Sequence, residues 1–233
     1  MNTRIKLCGL SRECDIEAVN ILKPDYIGFV FAKKSIRYVS EQQAAHLKSL
    51  ADSSIRTVGV FVDADVREAA RLMNSGVIDI AQLHGHEDEV YIDKLRQLTT
   101  GPVIQAFGIR TEEDVLRAAC STADYILLDS GSGGTGTAFD WSVLENIGRP
   151  YFLAGGLDPE NVSEAVGRLH PFAVDVSSGI ETDGSKDIRK MSDFCAAVRK
   201  AQSGHGSFDE SYLPLRCGLH DQIKAQSSVS QKA

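Results

Sequence analysis

Short apolar segments rich in β-branched residues alternate with longer amphipathic segments along most of this 233-residue chain. The apolar segments are nearly continuous runs, which is typical of parallel strands covered on both faces. Eight of them follow one another, at 5–10, 25–31, 56–62, 78–85, 102–109, 125–130, 151–157 and 172–179. This alternation predicts an α/β fold in which a helix follows each strand.

Helix patterns and helix start signals occupy the segments between the predicted strands. Two segments space their apolar residues along one helical face. These residues are Val162, Ala165, Val166 and Leu169 in the first segment, and Ile188, Met191, Cys195 and Val198 in the second. Ser40 with Gln43 and Thr111 with Asp114 read as capping boxes, and Asp158 before Pro159 predicts a further helix start.

Eight strand–helix units with a repeat of about 25 residues have the length of a (β/α)8 TIM barrel. We therefore predict one barrel domain over 1–201. A doubly wound open sheet is the alternative, but a GxGxxG fingerprint does not follow the first strand. The segment 202–233 has few apolar residues at any period, and we expect a poorly structured tail, loosely ordered or docked on the surface.

Charge and cysteine usage exclude several classes of function. A net charge of −7, with both signs well mixed, argues against a nucleic-acid partner. Five widely spaced cysteines without a CxxC pair argue against a disulfide framework or a zinc site. We expect no signal sequence, because the apolar run in "RIKLCGL" is too short and leads into charged residues, and no apolar run is long enough to span a membrane. We expect a cytoplasmic protein without a metal or a membrane partner.

The active site of a TIM barrel lies at the carboxyl ends of its strands. Glycines end the seventh and eighth predicted strands, in "LAGGL" and "VSSGIE". Glycine allows close approach of the backbone N–H groups to a ligand, and these two loops commonly hold phosphate. Gly155, Gly156, Ser178 and Gly179 therefore predict a phosphate site, although such glycines also occur in simple tight turns.

Two polar side chains at the same predicted rim are candidates for contact with the substrate. Arg37 follows strand two in a basic loop, and its planar guanidinium suits a carboxylate. A solvated basic loop is the commoner meaning of such a run. His84 ends strand four; it is a candidate substrate contact, or a histidine bonded to a backbone carbonyl, and we expect His86 to start the next helix.

Asp129 and Cys8 are the candidate acid and base. Asp129 ends an apolar strand, where desolvation can raise a carboxyl pKa, and the Gly-rich loop after it could close over a substrate. Capping of the next turn is the alternative role for Asp129. Cys8 ends strand one, and taken alone a cysteine there is more often inert packing. In a closed barrel, however, the two would flank the glycine loops of strands seven and eight.

Eight motifs together resemble the phosphoribosylanthranilate isomerase family of tryptophan biosynthesis. They are "KLCGL", "GFVF", "KSIRYVS", "QLHG", "LLDS" with "GGTGTAFDW", "LAGGLDPENV" and "VDVSSGIE", in the family's order over about 4–200. The resemblance implies a cofactor-free Amadori rearrangement of a small phosphorylated aminoaldose, in a monomer or homodimer. The tail has no counterpart in the family pattern.

The resemblance also implies a role for each matching residue. Asp129 is the general acid that opens the ribose ring, and Cys8 is the general base that removes the C2 proton. Arg37 binds the anthranilate carboxylate and Asp175 lies near the sugar hydroxyls, while the two glycine loops hold the phosphate. The related isomerase of histidine biosynthesis uses two aspartates instead, which disfavours it here. A non-catalytic barrel that uses the tail for interactions is a rival of another class.

Overall fold

The computed structural model describes residues 2–129, 141–144 and 147–203. Its core is a closed barrel of eight parallel strands arranged in chain order, with the last strand paired to the first. The strands β1–β8 are Arg4–Cys8, Tyr26–Val30, Arg56–Phe61, Ile80–Leu83, Val103–Gly108, Tyr125–Asp129, Tyr151–Ala154 and Ala173–Val176. The predicted TIM barrel is confirmed. Each strand lies within its predicted segment, except that β1 begins one residue earlier, at Arg4.

Seven α-helices surround the barrel in the described part of the chain. These helices, α1–α7, are Glu13–Leu22, Glu41–Leu50, Val66–Asn74, Glu89–Leu98, Glu112–Ala119, Val162–Leu169 and Ile188–Ser203. Between β6 and β7, where the sequence predicts a helix, the described residues contain a short 3₁₀ helix, Trp141–Leu144. Residues 130–140 and 145–146 lie outside the described part of the chain, so an α-helix there stays a prediction. The Gly-rich loop predicted to close over the substrate falls within 130–140.

The predicted helix starts are partly right. Thr111 and Asp114 form a true capping box at α5. Ser40 caps α2 by accepting from the Gln43 backbone N–H, but the Gln43 side chain donates to the Ser11 carbonyl at 2.7 Å instead of returning to Ser40. This interaction is not a capping box, because the longer Gln43 side chain finds a partner in the loop after β1.

Two other predicted starts lie too early. The Asp158 side chain accepts from the backbone N–H of Asn161 at 2.9 Å, so it caps a turn, and α6 begins only at Val162. His86 does not start α4, which is capped by Asp88 and begins at Glu89. The His86 backbone N–H instead donates to Asp63 at 2.7 Å.

Side chains alternate between the barrel interior and the layer beneath the helices. Ile5, Leu7, Val174 and Val176 pack in the outer layer, whereas Tyr26, Ile104, Leu127 and Phe152 form an inner cluster. The stripe predicted on α6 is buried throughout, but Ile188, at the start of α7, is 55% exposed. The alternation directs Lys6, Cys8 and Asp175 inward, which positions the site described next.

The loop after β8 adds structure that the strand–helix pattern does not predict. A 3₁₀ helix, Ser178–Ile180, leads into a two-stranded hairpin of β9, Glu181–Thr182, and β10, Ser185–Lys186. The last helix, α7, continues to Ser203. The predicted tail lies outside the described residues from 204 onward.

Candidate active site

The candidate acid and base lie at the same rim of the barrel, on strands separated by the two glycine loops. Cys8 is the last residue of β1 and Asp129 is the last residue of β6. The strand order β6–β7–β8–β1 places the loops that follow β7 and β8 between them. Both residues occupy inward positions, because Leu7 and Leu128 beside them pack in the outer layer. This confirms the relative placement expected for a closed barrel.

The Cys8 thiol is buried, and its burial and the nearby charges shift its pKa. Only 7% of the residue is exposed. Its partner in register on β2 is Gly28, where a Cβ atom would lie 2.6 Å from Sγ, so the absence of a side chain at 28 makes the space for the sulfur. Burial raises the pKa of the Cys8 thiol above its ordinary value, while the charge of Lys6 acts to lower the pKa. The resting thiol therefore stays protonated to a higher pH than a free thiol.

Asp129 is near an imidazole that the sequence placed at the same rim. The carboxylate Oδ2 lies 3.5 Å from Nε2 of His84, and the two side chains are 30% and 35% exposed. The other ring nitrogen, Nδ1, lies 2.9 Å from the amide nitrogen of Gln82. His84 is thus bonded to a side chain and not to the backbone carbonyl that we considered as an alternative. The Gln82 Oε1 atom is buried without a hydrogen-bond partner among the described residues.

The two glycine loops have the backbone geometry that their sequence indicates. Gly155 and Gly156 adopt φ values of 89° and 65°, a region that favours glycine. Gly179 has no room for a side chain, because a Cβ atom would lie 2.0 Å from the Leu157 carbonyl oxygen. The loops after β7 and β8 therefore pack directly against each other at this point. Ser178 is exposed and begins the short 3₁₀ helix of the second loop.

Arg37 is fixed at the rim by an ion pair with the loop after β8. Its Nε and Nη2 atoms donate to the two carboxylate oxygens of Glu181 at 2.7 and 2.6 Å. Lys186 donates to the same carboxylate at 2.6 Å and to the Ser177 carbonyl at 2.9 Å. Burial raises the pKa of Glu181, but the hydrogen bonds from both cations outweigh it and hold that pKa at about 2. The Arg37 guanidinium is therefore held by a carboxylate that stays ionised at neutral pH.

Asp175 faces the barrel interior, where it forms an ion pair. Its Oδ1 atom accepts from Lys6 Nζ at 2.8 Å, and the lysine is fully buried while the aspartate is 8% exposed. Four residues of the site were not predicted from the sequence: Lys6, Gln82, Glu181 and Lys186. A charged residue inside the apolar run "RIKLCGL" was a usable signal for Lys6. Glu181 and Lys186 gave no such signal, since their partners are set by the folding of the hairpin.

The described ranges show neither a metal-binding cluster nor a membrane-spanning helix. Within 2–129, 141–144 and 147–203, no group of three His, Cys, Asp or Glu side chains is placed to hold a metal ion. No helix in those ranges has the length and apolar character needed to cross a bilayer.

Comparison with known proteins gives a consistent family assignment. A family model described as N-(5'phosphoribosyl)anthranilate (PRA) isomerase matches residues 5–197. The N-(5'-phosphoribosyl)anthranilate isomerase of Endomicrobium trichonymphae is 44% identical over 192 residues, covering 81% of this chain and 94% of that protein. The solved phosphoribosyl anthranilate isomerase from Thermotoga maritima superimposes with a TM-score of 0.79 at 34% identity, covering 85% of this chain and 99% of that one.

A further solved structure contains a bound molecule. It is a phosphoribosyl anthranilate isomerase in complex with reduced 1-(o-carboxyphenylamino)-1-deoxyribulose 5-phosphate. Its TM-score is 0.76 at 33% identity, with coverage of 85% of this chain and 99% of that one. Because the family model and these relatives span nearly all of the barrel, the resemblance found in the sequence is confirmed: the chain belongs to the N-(5'-phosphoribosyl)anthranilate isomerase family of tryptophan biosynthesis.

Proposed function

We propose that this enzyme converts N-(5-phosphoribosyl)anthranilate to 1-(2-carboxyphenylamino)-1-deoxyribulose 5-phosphate, with Asp129 as the general acid and Cys8 as the general base. The observation that carries the proposal is the position of an inward thiol and an inward carboxyl on either side of the two glycine loops. A phosphorylated sugar bound through those loops would lie between the two groups. We further propose that the enzyme acts in the cytoplasm, without a cofactor, as a monomer or homodimer.

The reaction consists of proton transfers that two such groups can carry out. Asp129 donates a proton to the ribose ring oxygen, and the C1–O bond breaks to leave a protonated Schiff base. The electron-withdrawing Schiff base makes the C2 proton acidic, and the Cys8 thiolate removes it. The enolamine that forms then tautomerises, with protonation at C1 and loss of the C2 hydroxyl proton, to give the ketone. No redox partner or metal ion enters this sequence of steps.

The remaining side chains of the rim would bind the two anionic ends of the substrate. Glu181 engages Nε and Nη2 of Arg37. A guanidinium has five N–H donors, so Arg37 keeps donors, including those of Nη1, for the anthranilate carboxylate. At the other end, Gly155, Gly156, Ser178 and Gly179 would present backbone N–H groups to the phosphate. His84 and Asp175 would lie beside the sugar.

The proposal is tested by turnover of purified variants, measured from the fluorescence of the anthranilate substrate without added metal. Asp129→Asn and Cys8→Ser should each lower kcat by about 10² to 10⁴, which is the usual contribution of a general acid or base. Arg37→Ala should mainly raise KM, since it removes binding that is present before and during the reaction.

Matched variants control for the substitutions themselves. Asp93→Asn changes an exposed carboxyl on α4, and Cys14→Ser changes an exposed thiol on α1. Both should keep the activity of the unmodified enzyme. If Asp129→Asn or Cys8→Ser turns over as fast as these controls, the corresponding role is wrong. A folded barrel without any turnover would instead favour the non-catalytic alternative.

A further inference from the structure

Lys6 is a fully buried cation that the proposed reaction does not use. Its side chain has no exposed surface, and Nζ donates to Asp175 Oδ1 at 2.8 Å. The two residues are partners in register on the hydrogen-bonded strands β1 and β8. A buried ammonium is costly unless it is paired, so the ion pair explains why Lys6 can be charged but not why a charge is placed there.

Lys6 also lies on the same inward face of β1 as the candidate base. Lys6 and Cys8 are two residues apart on β1, and Ile5 and Leu7 between them pack in the outer layer. Side chains at this spacing lie on the same face of a strand. Nζ of Lys6 donates to the Asp175 carboxylate, and the charge of Lys6 acts to lower the pKa of the Cys8 thiol. One buried cation therefore acts on both a carboxylate and a thiol inside the barrel.

We propose that Lys6 is a positioning residue whose ammonium favours loss of the Cys8 proton, so that the thiolate that accepts the substrate proton forms more readily than burial alone would allow. The inference rests on the proposed function, in which Cys8 is the base. An ammonium near the sulfur stabilises the thiolate, and low exposure keeps water from screening the pair. Asp175 in turn keeps Lys6 charged, since burial alone would lower the pKa of the lysine and the carboxylate raises it.

Charged groups reach the thiol from several elements. Lys6 on β1 and Lys186 on β10 favour the thiolate, and Asp175 on β8 opposes it. Arg37, in the loop after β2, also interacts with the Cys8 charge. Burial has the largest effect and raises the Cys8 pKa, while the largest effect that lowers it comes from Lys6. Loss of Lys6 should therefore raise the pKa of the Cys8 thiol more than loss of any other cation at the site.

The test is the rate at which iodoacetamide alkylates Cys8 across a range of pH, measured by mass spectrometry of the Cys8 peptide without substrate. The rate follows the thiolate fraction. Lys6→Met should lower the rate at neutral pH by at least about tenfold, because a nearby charge shifts a pKa by about one unit or more. Lys200→Met, which removes an exposed cation on α7, should leave the rate unchanged.

A double variant separates charge from structure. Lys6→Met leaves Asp175 buried and unpaired, which could by itself disturb the fold. Lys6→Met with Asp175→Asn removes both charges and keeps the shapes similar. We expect the unmodified enzyme to alkylate fastest, the double variant more slowly and Lys6→Met most slowly. The inference is overturned if the double variant reacts as fast as the unmodified enzyme, because Lys6 would then serve only to pair Asp175.

The outcome does not depend on whether Cys8 is the catalytic base. Alkylation reports the state of the thiol alone, while turnover of Cys8→Ser reports its role in the reaction. Normal turnover of Cys8→Ser would refute the proposed role of Cys8 as the base. The effect of Lys6 on the thiol would still be measured by the alkylation rate. An unchanged alkylation rate in Lys6→Met would remove the inference, even if Cys8→Ser is inactive.

Discussion

The space that holds the Cys8 sulfur can be tested by filling it. Gly28→Ala would place a Cβ atom 2.6 Å from Sγ, 3.1 Å from Cα and 3.2 Å from Cβ of Cys8. Non-bonded carbon contacts are normally about 3.5–4.0 Å, so the sulfur must move by roughly 1 Å or the strands must separate. Cys8 is only 7% exposed, and it lies in register with Gly28 across β1 and β2. The added methyl group therefore has no open space beside the thiol.

Both stability and turnover should respond. Overpacking of a close-packed interior costs about 1–3 kcal/mol, and alanine regains about 0.5–1 kcal/mol relative to glycine within a strand. We therefore expect the free energy of unfolding to fall by about 0.5–2 kcal/mol. A misplacement of about 1 Å at a reacting group can cost about 10²-fold in rate, so kcat should fall by about that factor.

The assays are urea unfolding at equilibrium and steady-state turnover. Gly167→Ala is the matched control, because a Cβ atom there meets nothing within 4 Å and the residue lies inside α6. That variant should gain about 0.5–1 kcal/mol of stability and keep full activity. If Gly28→Ala is stabilised like Gly167→Ala, or keeps the unmodified kcat, the argument that glycine makes room for the thiol is refuted.

Two further predictions concern the loop after β8. Because the folded-state pKa of Glu181 lies at about 2, below its ordinary 4.5, its ion pairs stabilise the protein above pH 4.5 and are lost as the pH falls toward 2. Glu181→Gln should therefore lose less stability over that range than the unmodified enzyme in urea titrations, and its KM should rise as Arg37 is released. Gly179→Ala, whose Cβ would lie 2.0 Å from the Leu157 carbonyl oxygen, should raise KM for the phosphorylated substrate; an unchanged KM would separate this loop from phosphate binding.

The alternation of the sequence predicts the barrel because each strand and helix is specified by local patterns. The positions of Cys8 and Asp129 follow from the same reasoning, since closed parallel strands all end at one rim. The structure places Asp129 near His84, a contact that strand order alone does not give. Helix starts were less predictable: Gln43 has the residue type of a capping box, but a partner at Ser11 competes for its side chain.

The partners of the buried charges could not be predicted for a different reason. Lys6 and Asp175 are 169 residues apart, and Arg37 and Glu181 are 144 apart. The first pair depends on the register in which the last strand closes on the first, and the second depends on the hairpin that follows β8. Neither has a local pattern in the sequence. A lysine within an apolar strand indicates that a buried carboxylate pairs with it, but it does not identify which carboxylate is the partner.

The two sides of the site differ in a way that suits their opposite tasks. In the proposed reaction the base must lose its proton before it can act, and Lys6, on the same inward face of β1 as Cys8, favours that loss in the resting enzyme. The proposed acid must keep its proton until the ring opens and then carries a new negative charge. The Gln82 amide nitrogen lies 2.9 Å from Nδ1 of His84, and Nε2 of the same ring lies 3.5 Å from Asp129. A hydrogen on Nε2 would stabilise the Asp129 carboxylate only after the carboxylate forms, whereas the cation beside Cys8 is in place before the thiol loses its proton.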